Sequence, residues 1–364
     1  MLELRLKRPE QPMTNLWSEL PIARRESTIL GISFRPRQAE ALGLDGPATL
    51  QTLLTYPFDM IRLGAYWNRI EPTRGSFDTG ELDRQLDAAE RAGKKVILAV
   101  GAVKTFGYPE LFIPSHHLVK PLREGALIKP TDYPELIAGA TDFIARIVAR
   151  YRDRKAIVAW QLEHEAVDPL GVEHSWRLAV SFVARELQVL READRSRPVM
   201  MNGFLPTSSL VQLTQWWRTR DQGDSLDVAV ALADLVGLDY YPRHAMRRLG
   251  PRTLYLETAD LPWERARRRR LFASVRARGK QLMVSEGQAE PWEAVTVPPN
   301  PHQHASRSCP PEDLIRNYTA AIGWSSPGQT LQAYLFWGAE YWVLRDRAGD
   351  PSYLKTFARI LEQA

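Results

Sequence analysis

From Thr28 onward, short runs of apolar and β-branched residues alternate with longer segments whose apolar positions recur every three or four residues. The short runs are "TILGISF" (28–34), "FDMIRLGAY" (58–66), "KKVILAVG" (94–101) and "AIVAWQLE" (156–163), followed by "PVMMNGF" (198–204), "LVGLDYY" (235–241), "QLMVSEG" (281–287) and "LQAYLFWG" (331–338). Their near-continuous apolar character predicts parallel strands buried on both faces, with helices between them.

Two intervening segments carry clear helix signals. In "TDYPELIAGATDFIARIVARYRD", Leu136, Ala140, Phe143, Ile147 and Tyr151 share one face, with Asp132 as candidate N-cap and Glu135 three residues on. In "GELDRQLDAAERAGKK", Leu82, Leu86 and Ala89 face one way and Gly93 supplies the stop. Eight strand–helix units over residues 28–364 average about 42 residues each, enough for a (β/α)₈ (TIM) barrel with extended loops after its strands. A doubly wound sheet would normally carry a Gly-rich phosphate loop after an early strand, and the sequence has none. The expectation is an α/β protein: one barrel over 28–364 preceded by a short arm, 1–27. Loops 102–133 and 288–311 are long, and in a barrel both lie on the face where active sites are built.

Charge and composition alter this picture little. The net charge of +5 owes much to "ERARRRRLFASVRARGK" (264–280), where Leu271 and Val275 suggest a solvated helix with one apolar stripe. Nucleic-acid binding is therefore not expected. No apolar run approaches the roughly 20 residues that span a bilayer, and the first residues lack the h-region of a signal peptide. A cytoplasmic protein without a membrane partner is the expectation. The lone cysteine, Cys309, cannot form an intrachain disulfide.

The candidate chemistry lies in carboxylates at strand ends. "VAWQLEHEAV" places Glu163 and Glu165 at the end of the fourth run, and "LMVSEGQAEPW" places Glu286 at the end of the seventh. Two carboxylates facing one cavity suit glycoside hydrolysis, in which one is a protonated acid and the other an ionised nucleophile.

At these residues the chain resembles the clan A glycoside hydrolases, retaining enzymes built on (β/α)₈ barrels. "AWQLEHEA" is similar to their "WQ-x-x-NE-P" motif and "VSEG" to their nucleophile motif. "IRLGAYWNRIEPTRGSFDTGELDRQLDAAERAGKKVIL" resembles the corresponding segment of family 42 β-galactosidases and their neighbours, family 5 relatives among them. The resemblance implies Glu165 as acid/base, Glu286 as nucleophile, Arg62 as a brace for the nucleophile and Tyr241 as its hydrogen-bond donor. It makes Trp337 a platform under the sugar. It departs at His164, where the clan usually has Asn contacting the sugar 2-hydroxyl, and at Ala166, where Pro is usual; the exchange bears on sugar identity more than on the reaction.

The implied function is a retaining β-glycosidase, with β-galactosides, β-glucosides or β-mannosides as candidate substrates and a carbohydrate as its partner. A catalytically silent carbohydrate-binding barrel is the alternative. Glu163 is expected to be structural, and Glu290 is the fallback nucleophile. Tyr240 and Tyr241 point to opposite sides of their strand, and Tyr241 is taken as the inward one. His116 with His117, and His302 with His304, lack a recognised zinc spacing. No metal or cofactor is therefore expected, and substrate contact is the functional reading of His116 or His117. Trp67, Trp160 and Trp342 suit either core or sugar-binding roles. No G-x-S-x-G motif supports serine chemistry.

Overall fold

The structure, a computed structural model, describes residues 4–7, 15–107, 111–123, 125–168, 176–206, 209–249, 252–257, 261–291, 308–324 and 330–364. His302 and His304 lie outside the described residues. Eight strands form a closed parallel barrel: β1 Ile29–Ser33, β2 Met60–Gly64, β3 Lys95–Ala99, β4 Ile157–Gln161, β5 Val199–Phe204, β6 Leu235–Tyr240, β7 Gln281–Gln288 and β8 Ala333–Trp337. They follow one another around the barrel in sequence order. Every apolar run read as a strand is one, and helices fill the intervals, so the fold is a (β/α)₈ barrel. No described helix is long and apolar enough to cross a membrane.

Two compact units make up the chain. One comprises Ile61–Phe204 and Leu213–Leu238. In it β3 and β4 pair in parallel, with Leu98 opposite Trp160 and Ala99 opposite Gln161. Helix Gly80–Arg91 buries Leu82, Leu86 and Ala89, and Gly93 takes the left-handed conformation that ends it. Helix Pro134–Tyr151 buries the expected face, but it starts two residues later than its expected cap. Tyr133, not Asp132, is the N-cap, and no side chain caps the turn. Pro134 sets the start, because a missing N–H costs nothing in the first turn.

The second unit comprises Met1–Met60, Leu205–Gln212 and Asp239–Ala364. Here β7, β8 and β1 pair in parallel, with Ala333 opposite Ile29 and Gln288 opposite Trp337. The N-terminal arm is anchored here. Its strand Leu4–Lys7 pairs antiparallel with Arg252–Glu257, which also pairs with Arg243–Leu249. Arg359 donates to the carbonyls of Trp17 and Leu20, and Tyr318 to that of Ala23. The arginine-rich segment is helix Pro262–Ala277, which buries Phe272 and Val275 and leaves Arg269 and Arg270 exposed.

Candidate functional site

The end of β4 is held by an unusual backbone. Glu165 has φ +39°, a left-handed conformation that a residue with a Cβ seldom adopts. Fully buried Lys104, just past β3, donates its ammonium protons to the carbonyls of Glu165 (2.7 Å) and Asp168 (3.0 Å). The Asp168 N–H closes a turn onto the same Glu165 carbonyl. Strain of this kind persists where surrounding contacts over-determine it, often at functional sites. It presents the 3% exposed Glu165 at the strand end.

Glu163 has a different role. One of its oxygens accepts from the Val103 N–H at 2.9 Å and the other from the Lys104 N–H, while the His164 N–H donates back to the Lys104 carbonyl. These bonds join the end of β4 to the start of the loop after β3. Glu163 also faces Glu186 of helix Val180–Ala193, and both are fully buried. Burial and then the charge of Glu163 push Glu186 well above the carboxylate range, so Glu186 is the partner that keeps a proton.

A line of polar side chains ends at His164. Arg62 on β2, an obligate donor, gives its Nε–H to Gln161 Oε1 at 2.6 Å. Gln161 must then present its NH₂ to Asn202 Oδ1 (3.3 Å), and Asn202 its NH₂ to His164 Nδ1 (2.8 Å). Each bond fixes the orientation of the next group. Nδ1 is an acceptor, so the relay assigns the neutral imidazole's proton to Nε2 and makes that atom a donor. The Arg62 guanidinium also lies 4.2 Å over the Phe106 ring. Beyond Glu165, Asp168 accepts from the Ser225 N–H and from Gln215 Nε2. Burial, reinforced by the charge of Asp224, pushes Asp168 up to about 7.

In the other unit, the end of β7 is irregular where Glu286 sits. Val284 pairs with Tyr334 and Gly287 with Phe336, so β7 carries one residue more than β8 between these points. A bulge of this kind re-aims side chains. Tyr241, at the end of β6, donates its hydroxyl proton to Glu286 Oε2 at 2.7 Å. Ser285 donates to Asp239 Oδ1 at 2.7 Å, and Tyr240 packs edge-on against Trp324. Gly287 is dictated by packing, for a Cβ there would lie 2.2 Å from the Tyr334 ring.

Trp337 ends β8, with the Arg35 guanidinium 4.2 Å above its ring. Arg35 forks onto Glu290 (2.9 and 3.0 Å) and onto Glu340, and all three side chains are buried. Burial opposes the Arg35 charge, but the two carboxylates outweigh it and hold its pKa above the usual value. With both oxygens of Glu290 engaged by Arg35, Glu290 sits in a structural ion cluster, a poor setting for a nucleophile. Trp160 and Trp342 are core residues, their indoles donating to Asp194 and to the Ala289 carbonyl. Cys309 is buried, and burial raises its thiol pKa.

His116 and His117 converge on Glu71, a carboxylate that the sequence pattern does not single out. Asn202, Lys104 and Asp239 were also missed. Lys104 and Asn202 each follow or end an apolar run, but only the fold shows what they reach. Gln161 was legible as part of the "WQ" pair.

A glycoside hydrolase family 42 profile described as "Beta-galactosidase" matches residues 50–175. No curated protein matches the chain. Solved structures share its fold at low identity. A GH5_18 protein from Streptomyces cattleya in complex with GlcNAc is 12% identical, with 93% of this chain and 81% of that one covered and a TM-score of 0.58. A GH5_18 variant from Bifidobacterium longum in complex with Manb1-4GlcNAc is 11% identical (92% and 78% covered, TM-score 0.59). Xylanase 10B from Thermotoga maritima is 15% identical (94% and 98% covered, TM-score 0.55). The family 42 profile thus matches the segment that holds Arg62, His164 and Glu165, on a barrel whose fold is similar to those of GH5 and xylanase structures.

Proposed function

We propose that the protein is a retaining β-glycosidase, with Glu286 as nucleophile and Glu165 as acid/base. The observation that carries the reading is the Tyr241–Glu286 hydrogen bond at the bulged end of β7. The profile match and the fold neighbours, which are glycoside hydrolases, support a glycosidase in general, and the neighbours' sugar ligands support a carbohydrate substrate. In an all-parallel barrel the strand C-termini share one face, and there the reading puts the reaction.

In the first step Glu286, kept ionised by Tyr241 and Arg62, attacks the anomeric carbon while Glu165 protonates the departing oxygen. A covalent glycosyl-enzyme forms. Glu165, now a base, takes a proton from water, which attacks the anomeric carbon and releases Glu286. This retaining geometry requires the two carboxyl groups about 5–5.5 Å apart. His164, with its proton on Nε2, donates to the sugar 2-hydroxyl in place of the usual Asn, a contact that strengthens in the transition state. Trp337 stacks under the sugar.

The test is hydrolysis of nitrophenyl β-galactoside, glucoside, mannoside, xyloside and fucoside by the wild type, Glu286→Ala and Glu165→Ala. Activity on one sugar, lost in the first variant and rescued by azide in the second, is the expected result. Full activity in Glu286→Ala overturns the assignment.

A further inference from the structure

We propose that Glu71, His116 and His117 form a binding site for a divalent transition-metal cation of the zinc class. Glu71 caps the short helix Trp67–Ile70 that follows β2, and the two histidines end the 3₁₀ turn Ser115–His117 in the loop after β3. The adjacent histidines lack a recognised zinc spacing in the sequence, and the third donor lies 45 residues upstream of His116.

The geometry is that of a converging donor set. Glu71 Oε1 lies 3.1 Å from His116 Nε2 and 3.3 Å from His117 Nε2, and the three residues each offer a ligand atom within 4.8 Å of the others'. Tetrahedral zinc, with bonds of about 2.0–2.1 Å to nitrogen and oxygen, sets its ligand atoms roughly 3.3 Å apart. Both carboxylate–imidazole separations match that edge. Two imidazoles and a carboxylate form a donor set suited to zinc, with water filling the fourth position.

The surroundings hold each ligand in place. Trp67 donates its indole N–H to Glu71 Oε2 at 2.8 Å, which leaves Oε1 turned toward the histidines. Partners of this sort orient a ligand and tune its affinity. The His117 ring packs against Trp67, tilted by 36°, with centroids 4.5 Å apart. Its Nδ1 edge packs onto Gly139 of helix Pro134–Tyr151, where a Cβ would come within 2.6 Å of Nδ1. A mid-helix glycine is less favourable than alanine, and here it makes room for the ring. Arg74 anchors the His116 carbonyl at 2.9 Å. The imidazoles are 16% exposed and the carboxylate 11%, which gives a cation and its water access from solvent.

A bound cation would pin the loop after β3 to the segment after β2. That seam already has the Asn68 N–H bonded to the Phe112 carbonyl and the Tyr66 ring packed on Phe112. The site would therefore act as a clasp on a long loop, and the proposal stands whether or not the glycosidase reading does.

The test uses full-length protein, freed of any affinity tag and stripped with EDTA. Zn²⁺ is titrated by calorimetry and Co²⁺ by visible absorption, with Glu71→Gln and a His116→Ala/His117→Ala double variant in parallel. Expected are one Zn²⁺ per wild-type chain, the visible bands of four-coordinate Co²⁺, and at least a tenfold loss of affinity in both variants. The melting temperature should rise with Zn²⁺ in the wild type only. If the wild type binds no Zn²⁺, or if both variants bind as well as it does, the cluster is only hydrogen-bonded and the proposal is overturned. Circular dichroism of the variants separates loss of ligand from loss of fold.

Discussion

The Tyr241 hydroxyl donates to Glu286 Oε2 at 2.7 Å, joining the end of β6 to the end of β7. A neutral donor on a carboxylate stabilises the ionised form that a nucleophile needs. Tyr241→Phe removes that donor with little change in shape. Hydrogen bonds to charged groups are worth about 1.5–3 kcal/mol, so kcat/KM on the best nitrophenyl glycoside should fall roughly 10–100-fold with an unchanged melting temperature. An unaltered kcat/KM would remove Tyr241 from the mechanism.

Asn202 should control where His164 carries its proton. Asn202→Asp replaces the donor facing Nδ1 with an acceptor, which draws the proton onto Nδ1. Nitrogen-15 NMR of labelled histidine should find Nε2–H in the wild type and protonated Nδ1 in the variant. Hydrolysis should weaken by about tenfold, because the variant's neutral imidazole presents Nε2 as an acceptor. A proton on Nε2 alone in both proteins would contradict the relay from Arg62.

Asp168 makes stability depend on pH. Burial raises its folded-state pKa to about 7, above that of the unfolded chain. The folded protein therefore keeps a proton that the unfolded chain releases. The resulting stability is full below the ordinary carboxylate range and is lost as pH rises through about 7. Asp168→Asn should lack that term. Melting curves at pH 5 to 9 should show the variant gaining on the wild type as pH rises, and parallel curves would refute the assignment.

Arg35 neutralises two buried carboxylates, Glu290 and Glu340. Arg35→Met leaves both without their cation, and breaking a buried cluster from one side costs about 3–5 kcal/mol. Urea unfolding should show a loss of that order. Arg35→Lys should recover only part of it, because an ammonium cannot fork onto two carboxylates.

The barrel was legible because strands buried on both faces are written as unbroken apolar runs, and each of the eight runs became a strand. The Arg243–Leu249 and Arg252–Glu257 hairpin was not read, although a Gly-Pro pair stands between its strands. Asp132 as a cap failed because Pro134 fixed the first turn instead. The placement of Glu163, Glu165 and Glu286 near strand ends could be read from the apolar runs. Their surroundings could not, since Lys104, Asn202 and Glu71 act through contacts that join distant segments. The same limit hid the metal donor set, whose histidines are adjacent in sequence while their carboxylate is not.

The extra residue in β7 also has a consequence for parity. Side chains in a strand point alternately to two faces, and a bulge puts the residues after it out of step with those before. Deleting one residue between Val284 and Gly287 would give β7 the more regular ladder with β8, yet it would shift the facing of one flank of the strand by one step. In this strand the irregularity falls on Ser285 and Glu286, and the two flanks keep their present facings only while the extra residue is there.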